Sequence, residues 1–197
     1  MIQHSMHPDL RPFTTRPPKT FSSERLLFRA MTPDDAPLVF DLYASDPITT
    51  KYMSFPRATS PSDSRPFLEG VAASFAGRPN DVRQLAWLIQ RKDNGEPIGL
   101  VGIGPKSSSL LEGGYVLAQR FWGKGYASEA WGVILSWAQS LPDVQRIAAW
   151  HHPDNPASGR VLQKCGMVCE GTVPDHAVLP NISSEKIALT VWAWNRP

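Results

Sequence analysis

At 197 residues the chain is long enough for one globular domain that buries most of its apolar surface, and short for two of ordinary size. Lys and Arg number 20 against 18 Asp and Glu, a formal charge of +2, which excludes a nucleic-acid binder argued from overall electrostatics and makes any basic site a local one. No apolar run reaches the length of a membrane span, the first residues, MIQHSMHPDL, lack the apolar core of a secretory signal, and Cys165 and Cys169 fit neither a disulfide framework nor a zinc pattern. A cytoplasmic, reducing location is expected.

Residues 1–22 carry Arg11, Arg16 and Lys19 with one acid, Asp9, and four prolines that spoil an amphipathic helix. A flexible or clamping N-terminal tail is expected there, followed by one domain over 23–197. Residues 24–29 read as a strand, and Thr32-Pro33-Asp34-Asp35 then supplies a cap residue, a first-turn proline and acids for a helix through Tyr43. Residues 46–66, rich in Pro, Ser and Thr, read as a long irregular connection before a helix near 67–75. Residues 84–91 and 97–104 form a hairpin about Asp93-Asn94-Gly95, and a third strand is expected at 114–117. Past Gly125, apolar residues at 127, 130, 131, 134, 135 and 138 recur at helical spacing. A short strand at 146–150 precedes a helix opened by Asn155-Pro156 and ended by Gly166, and 186–194 is the last strand. Strands early and helices between later strands imply an α+β (α/β sandwich) fold around one mixed sheet. Asn181-Ile182-Ser183 matches a glycosylation sequon that recurs by chance and is set aside.

The segment GYVLAQRFWGKGYASEA, residues 114–130, places a strand, a glycine-rich turn and a helix start in succession. That order aims backbone N–H groups and the positive end of the helix dipole at one point, an anion site. Gly123 and Gly125 let phosphate oxygens approach the backbone, while Arg120 and Lys124 add charge-assisted bonds. Tyr126-Ala127 after Gly125 rules out both a Walker loop and a Rossmann turn.

With Arg120, Gly123 and Gly125, this segment resembles the acetyl-CoA loop Q/R-x-x-G-x-G/A of the GNAT N-acetyltransferases. Asn155, Ser158, Val161, Leu162, Lys164, Gly166 and Met167 are similar to that family's second block, N-x-x-S-x-x-V/L-L-x-K-x-G-F/M. Upstream, residues 24–29, 97–99 and 112–117 resemble the R-L-x-L-R, P-I-G and E-I-G-Y-x-L strands of its RimJ/RimL-like branch, so the likeness spans roughly 22–195. The resemblance implies a single GNAT-like domain with a mixed, mostly antiparallel central sheet flanked by helices. It implies acetyl-CoA as co-substrate, without metal, and transfer to a primary amine, a protein N-terminus or a small molecule, by a monomer or homodimer that needs neither nucleic acid nor membrane. Coenzyme contacts are expected from Tyr115, Val116, Leu117, Arg120, Trp122, Gly123, Lys124, Gly125, Tyr126, Ala127, Asn155 and Ser158.

Acetyl transfer from a thioester needs a polarised carbonyl, a base for the amine proton and a stabilised leaving thiolate. A strand N–H within 115–117, freed by a bulge at Gly113-Gly114, is expected to meet the thioester oxygen. Glu112 is the candidate base, or else a solvated charge before a strand. Relatives carry a tyrosine where this chain has Leu162, so Ser158, in the first turn of its helix, is the candidate acid, or else a plain early-helix residue. Asn155 is a pantetheine contact or an N-cap. His151-His152 on a strand point to opposite faces and make no metal site, and Cys165 reads as a small buried hydrophobe. A coenzyme-binding sensor without turnover is the second reading, and a nucleic-acid-associated protein using Arg120, Lys124 and exposed tryptophans a third.

Overall fold

Long apolar runs make the middle of the sheet. In the computed structural model, which describes residue 13, residues 15–77 and residues 81–197, LAWLIQR forms β3 (Leu85–Arg91) and PIGLVGIGP forms β4 (Pro97–Pro105). Both are buried along most of their length, as strands covered on both faces must be. They meet antiparallel about a turn in which Gly95 takes φ 74°, a conformation open to glycine without a Cβ clash. Outward on one side lie β2 (Leu26–Ala30) and β1 (Thr20–Ser22), each antiparallel to its neighbour. On the other side β5 (Leu110–Leu117) pairs antiparallel with β4, and β6 (Arg146–His151) runs parallel to β5. β8 (Lys186–Asn195) and the edge strand β7 (Val168–Val178) finish the order β1-β2-β3-β4-β5-β6-β8-β7. The protein is thus α+β, one domain about a mixed, mostly antiparallel sheet, as the order of elements predicts.

Thr32 and Pro33 open a 3₁₀ turn (Pro33–Asp35) that continues through α1 (Ala36–Val39) into a π-helical turn at Phe40–Ala44. The connection expected to be irregular holds α2 (Pro47–Thr50), capped by Asp46 Oδ1 and Oδ2 on the N–H groups of Ile48 and Thr49, and a 3₁₀ turn (Pro61–Ser64) ahead of α3 (Arg65–Ala76). Asp46-Pro47 and Ser60-Pro61-Ser62-Asp63 are start signals of the usual kind, here for elements of one turn. α4 (Tyr126–Gln139) buries Ala130, Trp131, Ile134, Leu135 and Ala138 against β2, β4, β5 and β6, the face that the spacing predicts, and α5 (Pro156–Lys164) follows β6.

Three differences from the sequence reading have local causes. β5 begins at Leu110 rather than 114, because Leu111 and Glu112 have strand partners on both sides and Leu110 pairs with Arg146 of β6. β7 has no counterpart among the expected strands: its residues are mostly exposed, and its register shifts twice, around Gly171 and around Pro174-Asp175, so no alternation marks it. The sheet also begins inside the segment expected as a tail. Phe13 is buried and stacks on Trp137 at 5.9 Å, Phe21 packs against Trp87 and Trp137, and Trp87 Nε1 donates to the Pro18 carbonyl at 3.0 Å. The described part of that segment clamps the core, while residues 1–12 lie outside the described residues.

Candidate active site

The site begins where two strands part. β5 and β6 pair at three positions, Leu110 with Arg146, Leu111 with Ile147 and Glu112 with Ala148, and then diverge. From Gly113 onward β5 keeps its β4 partner without a register shift as far as Leu117, but has none on the β6 side. Backbone groups of residues 113–117 on that side are therefore left without ladder partners, a condition that buried backbone tolerates only beside solvent or a ligand. The bulge expected at Gly113-Gly114 is absent, since divergence of β6 does the same work. Gly113, which departs from the isoleucine of the strand motif it resembles, has no room for a side chain: a Cβ there would lie 2.4 Å from the Gly102 carbonyl and 3.0 Å from the Trp131 ring. The indole fills the place of the missing side chain. A cavity of about 530 Å³ occupies the divergence, lined among others by Glu112, Gly114, Tyr115, Val116, His151, Asn155 and Ser158.

Leaving β5, the chain makes a 3₁₀ turn (Gln119–Phe121) and then the glycine loop. Gly123 and Gly125 take φ 74° and 80°, left-handed values that L-residues avoid. A Cβ on Gly123 would meet nothing within 4 Å, and one on Gly125 only Arg25 Nη2 at 3.4 Å, so the space above the loop is open to a ligand. Gly125 is the N-cap of α4 and offers no side-chain acceptor to the first turn, which leaves its N–H groups aimed outward. Glycines and a bare helix start fit a pyrophosphate. The two expected cations are placed differently from one another. Arg120 stands 3.6 Å from Glu96, whereas Lys124 rises from the loop itself; both are exposed and both lie over the Phe121 ring. A third cation, missed in the sequence, comes from the approach to β2: Arg25 donates to Glu129 Oε2 at 2.7 Å and to the Lys124 carbonyl at 3.1 Å, tying the loop to α4. Trp122 is half exposed and donates through Nε1 to the Leu117 carbonyl at 2.6 Å, so its indole flanks the end of β5.

Across the divergence, Asn155 Oδ1 accepts from the Ser158 N–H at 3.4 Å and caps α5. Ser158 Oγ lies 2.9 Å from the Tyr115 hydroxyl, which also donates to the Ser158 carbonyl at 3.1 Å. Burial pushes the Tyr115 phenol above its ordinary value, against the smaller opposing effect of its bond to Ser158, so it stays protonated. Leu162 is buried in the core; a phenol reaches this side of the cleft from β5, as Tyr115. His151 donates from Nδ1 to the His152 carbonyl at 2.8 Å, and its Nε2 is buried against Gly159, where a Cβ would stand 2.7 Å away. Glu112 Oε1 pairs with Lys106 Nζ at 2.9 Å at the cavity wall. Among the described residues no group of three or more His, Cys, Asp or Glu side chains could hold a metal ion, and no helix is long and apolar enough to cross a membrane. Cys165 Sγ donates to the Ser128 carbonyl at 3.3 Å, and burial pushes its thiol up.

A sheet opened between a parallel pair, with a glycine-led helix start at the mouth and a carboxylate within, makes a cleft with an anion-binding mouth. The profile of the acetyltransferase (GNAT) domain matches residues 25–168. The uncharacterized N-acetyltransferase p20 of Bacillus licheniformis is 31% identical over 161 residues, 80% of this chain and 87% of that one. Among solved structures, a GNAT-family acetyltransferase from Bacillus anthracis superposes with TM-score 0.73 at 25% identity, covering 89% of this chain and 98% of its own. RimL, a ribosomal L7/L12 α-N-protein acetyltransferase in complex with coenzyme A, gives 0.74 at 19% identity over 88% and 95%. The chain belongs to the GNAT acetyltransferase family, and it is an N-acetyltransferase.

Proposed function

We propose that this protein transfers an acetyl group from acetyl-CoA directly to a primary amine while both are bound. The observation that carries the reading is the divergence of β5 from β6 at Glu112, with the uncapped start of α4 at its mouth. The coenzyme supplies an activated acetyl thioester; the chain supplies the rest. N–H groups of Gly123 to Ala127 receive the pyrophosphate, aided by Lys124, while the N–H groups of Tyr115 and Leu117, on either side of Val116, face the side that β6 has left and meet the pantetheine arm and thioester oxygen. Asn155 holds the first turn of α5 in place. Glu112 accepts the proton of the attacking amine as the new C–N bond forms. Ser158 donates to the sulfur as the C–S bond breaks, its Oγ held by Tyr115. No nucleic acid, metal or membrane enters this scheme, and the chemistry suits the cytoplasm.

Titration calorimetry with acetyl-CoA, coenzyme A and ATP tests the reading, with thiol release measured on a panel of amines. Selective coenzyme binding, with turnover that falls on the order of 10²-fold or more in Glu112→Gln at unchanged coenzyme affinity, is expected. Coenzyme binding without turnover of any amine would make the protein a sensor. Preference for ATP would overturn the reading.

A further inference from the structure

The acceptor half of the cavity has a composition of its own. Its floor is one face of β4 and β5, where Leu100 stands opposite Val116, Gly102 opposite Gly114, and Gly104 opposite Glu112. A Cβ on Gly114 would meet nothing within 4 Å, so a strip of bare backbone lies open beside the candidate base. The facing wall is apolar and aromatic: Val39, Tyr43, Met53, Phe55, Ala58 and Phe67. That wall is tied down. Asn181 Nδ2 donates to the carbonyls of Thr50 and Phe55 at 2.7 and 2.9 Å, Asn181 Oδ1 accepts from the Arg57 N–H at 2.8 Å, and the Ala58 N–H donates to the Ala44 carbonyl at 2.9 Å.

The charges in the lining are two of each sign, and both acids are engaged. Glu112 pairs with Lys106, and Asp63 accepts from the N–H and hydroxyl groups of Thr59 and Ser60 at 2.7 to 3.0 Å. The cations are Lys106 and Arg57, the latter exposed at the rim. A polyamine or aminoglycoside would bring several ammonium groups to a charge-balanced lining whose two acids are already engaged, so its extra charges would be desolvated without a counter-charge. An apolar body would bury surface against a fixed wall and offer one amine to Glu112.

We propose that the acceptor is a small monoamine on an apolar, aliphatic or aromatic body, selected by this wall. The inference rests on the acetyl-transfer reading above, and it commits that reading to one substrate class. About 530 Å³ must hold both the acetyl end of the donor and the acceptor, which keeps the body compact.

The test is calorimetry on the full-length protein saturated with coenzyme A, titrated with 2-phenylethylamine, hexylamine, spermidine, kanamycin and a serine-initiated hexapeptide, with kcat/KM for the same amines in acetyl-CoA. 2-Phenylethylamine and hexylamine are expected to bind and to exceed the other three by about tenfold or more in kcat/KM. Phe67→Asp, at a partly exposed wall position, is expected to raise KM for 2-phenylethylamine about tenfold with kcat nearly unchanged, and to narrow the gap to spermidine. Tighter binding or faster turnover of spermidine, kanamycin or the peptide overturns the inference while acetyl transfer stands. Failure of both apolar amines to bind the coenzyme-loaded protein also overturns it. Failure of the protein to bind coenzyme A in the first titration overturns the underlying reading instead.

Discussion

Two helices start at this cleft, and their first turns are built in opposite ways. α5 begins conventionally: Asn155 gives a side-chain acceptor to the Ser158 N–H and Pro156 fills the first helical position. α4 begins with Gly125 at φ 80° and no side-chain cap. An uncapped start leaves several N–H groups without partners, and the fold gives them none because the space above the loop is open. The difference separates a helix start left open, as the proposed coenzyme site requires, from one that serves mainly to place a residue. At α4 the backbone itself is the proposed binding group. At α5 the cap fixes a turn so that Ser158 meets Tyr115.

The contrast breaks most sharply at Gly125. Valine there must adopt a left-handed backbone at a cost of about 1–2 kcal/mol, and its side chain occupies the approach to the α4 N–H groups. Coenzyme A affinity is expected to fall about 100-fold or more, a loss of about 2.8 kcal/mol in titration calorimetry. An unchanged affinity would show that the ligand does not use this helix start.

Tyr115→Phe sharpens the α5 side. It removes one hydroxyl that holds Ser158, so kcat is expected to drop about tenfold, the worth of about one hydrogen bond, with coenzyme affinity nearly constant. Equal losses in Tyr115→Phe, Ser158→Ala and the double variant would mark the pair as one unit; additive losses would separate them.

Asn155→Ala should behave as a cap removal. A stability loss of about 1 kcal/mol is expected, read as a fall of about 2–4 °C in Tm for a domain of this size. Coenzyme affinity should change less than about threefold; a collapse of affinity at unchanged Tm would instead make Asn155 a ligand contact.

The smallest effect concerns Glu129, in the first turn of α4. Burial raises its pKa, but hydrogen bonds from Ser23 Oγ and the Arg25 N–H, with the Arg25 guanidinium, outweigh that and hold the carboxyl below its ordinary 4.5. A depressed folded value contributes stability above the ordinary pKa, and that stability is lost as pH falls through the folded value. Acid titration of Tm should therefore decline below about pH 4.5, and Glu129→Gln should flatten that limb. An unaltered acid limb in the variant would remove Glu129 from the account.

Much of the site could be read from the chain because its parts are local. Gly123 and Gly125 sit within a loop of a few residues, Asn155 and Ser158 within one turn, and Glu112 within the strand that leads to the loop. What escaped notice joins distant residues. Tyr115 and Ser158 are 43 positions apart, Arg25 and Glu129 104, and Asn181 binds a wall 124 to 131 positions away. No spacing rule marks such pairs. Asn181 was visible only as part of a sequon, and β7 lacked the alternation that a half-buried strand would show.

The sequence by itself determined the order of the inner strands and of the longer helices, the glycine loop at the head of α4 and the cap of α5, because backbone conformation and apolar period are properties of neighbouring residues. Tertiary structure alone decided where β6 leaves β5, that Trp131 takes the space beside Gly113, and that a phenol from β5 meets Ser158. Those features depend on which surfaces pack together, and packing joins parts of the chain whose separation no local pattern encodes.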